Sequence, residues 1–262
     1  MTRPDDRIEL DAARDALASA RAIVVLTGSG VSAESRIPTF RTSPPSRDHD
    51  QSDDDTMQAL WAEFDPQALA TPEAFEADPE TVTRWYDWRR CKCIDAEPNP
   101  GHRALAGLQQ RAMSEGRRFT MLTQNVDGLH QRAGSVGVVE LHGSIMRWRG
   151  VQTATPAEVP RGPFESFPPT LETGEIIRPA VVWFGETLPP DAIEAASAAL
   201  DACDLFLSIG TSSVVYPAAG FIHTAKANGA TTIEINPEDT PNSGITDIAL
   251  RGKAGEVLPR LL

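Results

Sequence analysis

Between Thr123 and Gly134 the chain reads Thr-Gln-Asn-Val-Asp-Gly-Leu-His-Gln-Arg-Ala-Gly. Two carboxamides (Gln124 and Asn125), a carboxylate (Asp127) and an imidazole (His130) are packed into a few residues. They follow a short apolar run, Phe119–Leu122, that reads as a buried strand. In open α/β sheets ligands bind outside the carboxyl ends of strands, so this cluster is placed to hold a polar ligand. A further imidazole, His142, stands in Glu140-Leu141-His142-Gly143, just after another strand signal. A lone histidine is more often structural than catalytic. Its place at the carboxyl end of a strand, with an ordinary pKa near neutrality, suits a general base. His49, His102, His130 and His223 compete for that role, and His49, in an acidic loop, fits it least.

Gly28-Ser29-Gly30-Val31-Ser32-Ala33 follows a third strand signal and fits Gly-x-Gly-x-x-Ala. The first glycine allows a tight turn and the second lets backbone approach a pyrophosphate at a helix N-terminus. A dehydrogenase would also place an acidic ribose-binding residue about 20 residues on, at the end of a second strand. Here that region, Thr42–Asp50, is a Pro-rich polar loop, so the hydride-transfer fingerprint is incomplete. Pro38 ends the helix early and directs Phe40 and Arg41 toward the nucleotide.

The elements that must position these residues alternate. Helical periodicity spans 8–20, and Ala22–Leu26 is a continuous apolar run ending at Gly28. Further strands are expected at Met121-Leu122, Val138–Leu141, Ala180–Phe184, Leu205–Ile209 and Thr232–Ile235. Helices are expected over 101–115, 190–200 and 217–228, the last stopped by Asn228-Gly229. Strands separated by such helices imply an α/β fold with a parallel, Rossmann-like sheet. That lobe is expected to comprise about 7–41, 100–143 and 180–262. Two insertions, about 42–99 and 144–179, interrupt it and are expected to build a smaller lobe. The first holds the acidic Asp48–Asp55 stretch, read as a solvated loop, then short helices around Thr71–Ala77 and Pro79–Ile94.

Composition narrows the class. The 262 residues carry a formal net charge of −13, and only Lys92, Lys226 and Lys253 are lysines. Such a surface repels nucleic acid and anionic membranes. It reads as salt adaptation, because screening removes self-repulsion. Cys91, Cys93 and Cys203 are an odd, small set, and Met-Thr-Arg-Pro-Asp-Asp-Arg lacks an apolar leader segment, so a reducing cytoplasm is expected. Cys91-x-Cys93 alone cannot complete a four-ligand zinc site. Nothing in the sequence marks an oligomeric interface.

Gly28–Arg41 resembles the glycine-rich motif of the sirtuin family (silent information regulator-type proteins), and Thr123–Gly134 is similar to a second sirtuin motif almost letter for letter. Leu141-His142-Gly143, Val181–Glu186, Gly210-Thr211-Ser212 and Gly252–Gly255 match in order, so the resemblance spans nearly the whole chain. It implies NAD-dependent removal of acyl groups from protein lysines, giving nicotinamide and 2′-O-acyl-ADP-ribose. By the same resemblance Gly28, Ser29 and Gly30 cradle the diphosphate, and Ser32 and Ala33 also bind the cofactor. Phe40 and Arg41 line the nicotinamide-ribose pocket. Gln124 and Asn125 contact that ribose, with Asn125 also catalytic, and Asp127 binds the carboxamide. Gly210, Thr211, Ser212, Asn236 and Ala254 surround the adenosine, and His142 is the base. The acyl-lysine peptide is expected as an extra strand between Gly185-Glu186 and Ser213–Tyr216, which include Val215. Val182 and Phe184 wall the tunnel.

Two details refine the resemblance. Tyr86 and Arg89 are three apart on an expected helix and so share a face. The pair looks like the Tyr-x-x-Arg of class III sirtuins, which bind acidic acyl groups such as succinyl, malonyl or glutaryl; the bland alternative is a packed tyrosine and a surface arginine. Sirtuins also usually hold a zinc ion on four cysteines after the catalytic His-Gly. Here those places are Gly150, Thr153, Thr170 and Thr173, so no zinc is expected. Arg36 replaces a usual glycine. Other readings of the same pocket are a mono-ADP-ribosyltransferase, a catalytically silent NAD or ADP-ribose binder and, least fitting, a dehydrogenase.

Overall fold

The protein is described by a computed structural model covering residues 4–37 and 66–262. Pro38, Phe40, Arg41 and the Asp48–Asp55 stretch lie outside the described residues. Within them the strands are β1 (Ala22–Thr27), β2 (Arg118–Thr123), β3 (Val139–Glu140), β4 (Gly143–Gly150), β5 (Pro156–Ala157), β6 (Ile177–Val181), β7 (Leu205–Ile209), β8 (Thr231–Asn236) and β9 (Ile248–Arg251). The helices are α1 (Pro4–Ser19), α2 (Ser29–Ser32), α3 (Pro66–Leu69), α4 (Pro72–Ala77), α5 (Pro79–Asp95), α6 (Pro100–Ser114), α7 (Leu129–Arg132), α8 (Pro190–Ala202), α9 (Phe221–Ala227) and α10 (Ala254–Leu261).

Six strands form a parallel sheet in the order β3-β2-β1-β7-β8-β9. This is the expected α/β class. All six residues of β1 are buried, because both sheet faces are covered and each side of the pleat must be apolar. Ile23 and Val25 face a cluster with Leu17 of α1, Leu105 of α6 and Leu258 of α10. Val24 and Leu26 face the opposite cluster, with Leu200 of α8 and Ile222 of α9. Each such buried side chain contributes roughly 1.5–3 kcal/mol relative to exposure. The strand order reverses between β1 and β7. A crevice must open there, outside the carboxyl ends of β1, β2 and β7.

A second, antiparallel sheet, β5-β4-β6, packs with α3, α4 and α5 around Trp85, Trp148 and Ile177. Asp78 caps α5 by accepting the Thr81 N–H at 3.0 Å. Asn99 caps α6, and His102 returns a ring nitrogen to the Asn99 N–H.

Three elements differ from expectation. The strand expected over Ala180–Phe184 is Ile177–Val181, and it pairs with β4 of the small sheet instead of the parallel one. It stops at Val181 because the following backbone finds other partners: Val182 N–H bonds the His142 carbonyl and Phe184 N–H bonds the Ala70 carbonyl. The helix expected over 217–228 opens as a short 3₁₀ turn, Ala218–Gly220, before α9. The helix expected after Gly28 is one turn plus a 3₁₀ turn. It ends at Arg36, whose φ of 62° is left-handed.

Candidate active site

The crevice is a cavity of about 290 Å³ at the junction of the two lobes. Three loops leave adjacent parallel strands and meet there: Gly28 after β1, Gln124 after β2 and Gly210 after β7. The first and third touch backbone to backbone, with Gly30 N–H donating to the Gly210 carbonyl at 2.8 Å. A side chain at Gly30 would put its Cβ 2.7 Å from that oxygen, so only glycine fits.

Gln124, Asn125, Asp127 and His142 all line this cavity, as do Gly28, Ser29 and Ser32. Ser32 is the hub. Its buried hydroxyl donates to Asp127 Oδ2 at 2.7 Å and accepts from Asn125 Nδ2 at 3.1 Å. Asn125 Nδ2 also donates to the Gly28 carbonyl at 3.1 Å. Both amide hydrogens are thereby used, and Oδ1 is left as the acceptor this side chain offers to a ligand. Asp127 Oδ1 accepts the Leu129 N–H at 2.9 Å. Burial pushes the Asp127 pKa up, offset in part by those donors.

His142 directs Nδ1 at the Gln124 carbonyl, 3.1 Å away. A carbonyl only accepts, so Nδ1 carries the hydrogen and Nε2 holds the lone pair. Burial holds the ring's pKa below 6.5, the carbonyl opposing weakly. At neutral pH the imidazole is therefore a neutral acceptor on the cavity wall, the state a general base needs.

On the small-lobe side Tyr86 and Arg89 both line the cavity, on the expected shared helix face. Arg89 is not a surface residue: it is 7% exposed, with its guanidinium carbon 4.7 Å from the Trp85 ring centroid. Burial pushes the Tyr86 hydroxyl up to about 12, keeping it a neutral donor, and lowers the Arg89 pKa. Val182, Phe184, Gly185 and Glu186 line the cavity, as do Thr211, Ser212 and Val215. Glu186 is held by Arg178 at 2.6 and 3.0 Å and by the Trp183 N–H. Phe184, Val214 and Tyr216 leave apolar surface exposed at this mouth.

Other expected residues stand apart from the cavity surface. Gly30 and Gly210 form the backbone contact behind it. Asn236 ends β8 and donates to the Thr211 carbonyl at 3.0 Å. Ala254 is buried at the start of α10. Ala33 opens the 3₁₀ turn. Phe40 and Arg41 are outside the described residues.

The sequence reading missed a buried layer beneath the site. His102 Nε2 lies 3.4 Å from Ser32 Oγ, and His130 Nε2 lies 2.9 Å from Thr27 Oγ1. Thr27 donates to Thr123, whose hydroxyl accepts the Asn125 N–H at 3.0 Å. Asn99 donates to Ser35 and to the Val31 carbonyl. The available signal was Asn99-Pro100-x-His102, a capping pattern at a helix start. Cys93 also lines the cavity, and burial pushes its thiol up to about 12. Among the described residues no group of three or more His, Cys, Asp or Glu could hold a metal ion.

A doubly wound sheet with a polar, histidine-bearing crevice at its switch point defines a nucleotide-binding α/β protein. The chain belongs to the Sir2 family, whose pattern matches residues 28–217. It is 47% identical over 249 residues to NAD-dependent protein deacylase 2 of Pyrobaculum aerophilum, covering 95% of this chain and 92% of that one. Its fold is similar to a Sir2 homologue solved as an NAD complex, with a TM-score of 0.84, 42% identity and coverage of 96% and 91%. It is also similar to a Sir2 protein bound to acetylated peptide, with a TM-score of 0.80, 28% identity and 96% of each chain covered.

Proposed function

We infer that this NAD-dependent protein-lysine deacylase uses His142 as its general base and accepts acidic acyl groups at Tyr86 and Arg89. The observation that carries the reading is the convergence of Gln124, Asn125, Asp127 and a neutral His142 on one cavity. The residues fit NAD. The Ser29 N–H opens a turn with no side-chain cap and suits a diphosphate oxygen, while the Gly28 and Gly30 N–H groups are spent on the Ile209 and Gly210 carbonyls. Asn125 Oδ1 suits a ribose hydroxyl, and Asp127 suits the carboxamide N–H₂. Bound NAD supplies an electrophilic ribose carbon with nicotinamide as leaving group. The protein's part is to hold the acyl-lysine against that carbon, so that positioning supplies much of the rate. His142 Nε2 then takes a proton from a ribose hydroxyl.

The peptide lies between Gly185-Glu186 and Ser213–Tyr216, with the acyl chain directed at Arg89. Arg supplies a rigid two-pronged donor to a carboxylate and Tyr a hydroxyl donor, which favours succinyl-, malonyl- or glutaryl-lysine over acetyl-lysine. Free thiols at Cys91, Cys93 and Cys203 suit a reducing cytoplasm. The acidic, lysine-poor surface suits work at high salt. The test is mass-spectrometric turnover of acetyl- and succinyl-lysine forms of one peptide, with NAD, in molar salt. Faster desuccinylation is expected; faster deacetylation would reduce Tyr86 and Arg89 to packing residues.

A further inference from the structure

The arm between β4 and β6 carries, in a sirtuin, a zinc ion on four cysteines. A structural zinc needs about four sulfur or nitrogen donors in a tetrahedron. Gly150 has no side chain, and Thr153, Thr170 and Thr173 offer neutral hydroxyls. The residues do not fit zinc.

Another group occupies the junction. Glu175 sends its carboxylate across from the β6 side into the turn that follows β4. Oε1 accepts the N–H groups of Gln152 at 2.6 Å and Thr153 at 2.9 Å, and Oε2 accepts the Thr153 hydroxyl at 2.8 Å. N–H groups cannot ligate a cation, so these contacts use the carboxylate as a hydrogen-bond acceptor. The first expected cysteine position makes room for it: a Cβ at Gly150 would lie 2.5 Å from Glu175 Oε1. The backbone completes the tie. Val151 N–H bonds the Ile176 carbonyl at 3.1 Å and Leu171 N–H bonds the Glu175 carbonyl at 2.8 Å. Lower on the arm, the buried Asp87–Arg90 pair of α5 clamps the chain independently. Arg90 donates to the Pro160 and Gly162 carbonyls, and Asp87 accepts the Phe164 N–H at 3.0 Å.

The location gives the tie a consequence. β4 begins just after His142 and ends at Gly150; β6 begins at Ile177 and runs into Val182. At the cavity end these strands are joined by the Val182–His142 bond of 2.9 Å. At the far end the ladder runs through Arg149–Arg178 and Gly150–Ile177, and Glu175 closes it by holding the turn that follows β4. We propose that the Glu175 carboxylate takes the structural place of zinc in this chain and acts as a positioning residue for the His142–Val182 end of the small sheet. The positioning claim rests on the function proposed above, whereas the claim about zinc does not.

The experiment uses the full chain and three readouts. Metal analysis of the purified protein should find less than about 0.1 zinc per chain, and a zinc chelator should leave its melting temperature unchanged. Glu175→Gln should speed amide exchange at residues 150–155 and 174–177 by about tenfold or more. It should raise the acyl-peptide KM several-fold without changing the affinity for ADP-ribose. A second variant joins Glu175→Gly with Gly150→Cys, Thr153→Cys, Thr170→Cys and Thr173→Cys; it should bind one zinc and regain exchange protection on zinc addition. Near-stoichiometric zinc in the native chain, or unchanged exchange in Glu175→Gln, would overturn the proposal. Failure of turnover alone would count against the function and leave the zinc and exchange readouts intact.

Discussion

Val182 donates its backbone N–H to the His142 carbonyl across 2.9 Å. The residue proposed as base and the residue proposed to wall the acyl-lysine channel are therefore one hydrogen bond apart. Because His142 also anchors its ring on the Gln124 carbonyl, hydrogen bonds tie the loop after β2, the base and the channel wall in one chain.

Replacing His142 by alanine should lower kcat by about 10²–10⁴-fold, the usual contribution of a positioned acid or base. ADP-ribose affinity, measured by calorimetry, should change little. Only the neutral ring accepts a proton, and burial holds its pKa below 6.5. The acid limb of kcat/KM should therefore fall below pH 6.5. A limb centred above that value would contradict the neutral-base assignment.

Arg89→Met should cut kcat/KM for a succinyl-lysine peptide by about 10–200-fold, the equivalent of one lost charged hydrogen bond of about 1.5–3 kcal/mol. Acetyl-lysine turnover should fall far less. Parallel losses on both peptides would mean that Arg89 acts through packing on Trp85 and not through the acyl carboxylate.

Ser32→Ala removes the hydroxyl that Asp127 and Asn125 share. With a buried carboxylate deprived of a donor, the fold should lose about 1–3 kcal/mol. Denaturant unfolding measures this, and the NAD KM should rise as well. A wild-type midpoint would show that the network readjusts around the missing oxygen.

His102 and His130 are 0% and 1% exposed, and burial lowers their pKa values from 6.5 to about 3 and about 4. Between those values and 6.5 the unfolded chain binds protons that the folded chain excludes. The contribution of these two rings to stability is thus full above pH 6.5 and is lost on acidification, by up to about 3 kcal/mol per pH unit for two protons. Urea unfolding at pH 7 and pH 5 checks the sign. His102→Asn should flatten the slope, and an unchanged slope would exclude His102 as a contributor.

The parallel sheet was legible because it is written in short apolar runs such as Ala22–Leu26 and Leu205–Ile209, each ending at a glycine turn. The cavity residues were legible for a related reason: Gln124, Asn125, Asp127 and His142 directly follow such runs. What the sequence hid is what tertiary contact decides. β4, Gly143–Gly150, mixes arginines with Ile145 and Trp148 and shows no clean alternation, its pairing with β6 being broken by a register shift. α10 went unpredicted because Pro259 lies inside it, although Val257, Leu258 and Leu261 form a buried stripe. The buried His102–Ser32 layer joins residues 70 positions apart, and no local pattern announces that meeting. Glu175 reads as one more acid in a polar arm until its N–H partners are seen.

The most direct test of the account is the fate of the acyl group. Wild-type protein, NAD and an acyl-lysine peptide should be followed together by mass spectrometry, with His142→Ala as the control. The account predicts one nicotinamide released per lysine freed, with the acyl mass transferred to ADP-ribose and the signal lost in the variant. ADP-ribose mass appearing on the peptide or protein instead, or tight NAD binding without turnover of any acyl peptide, would contradict it.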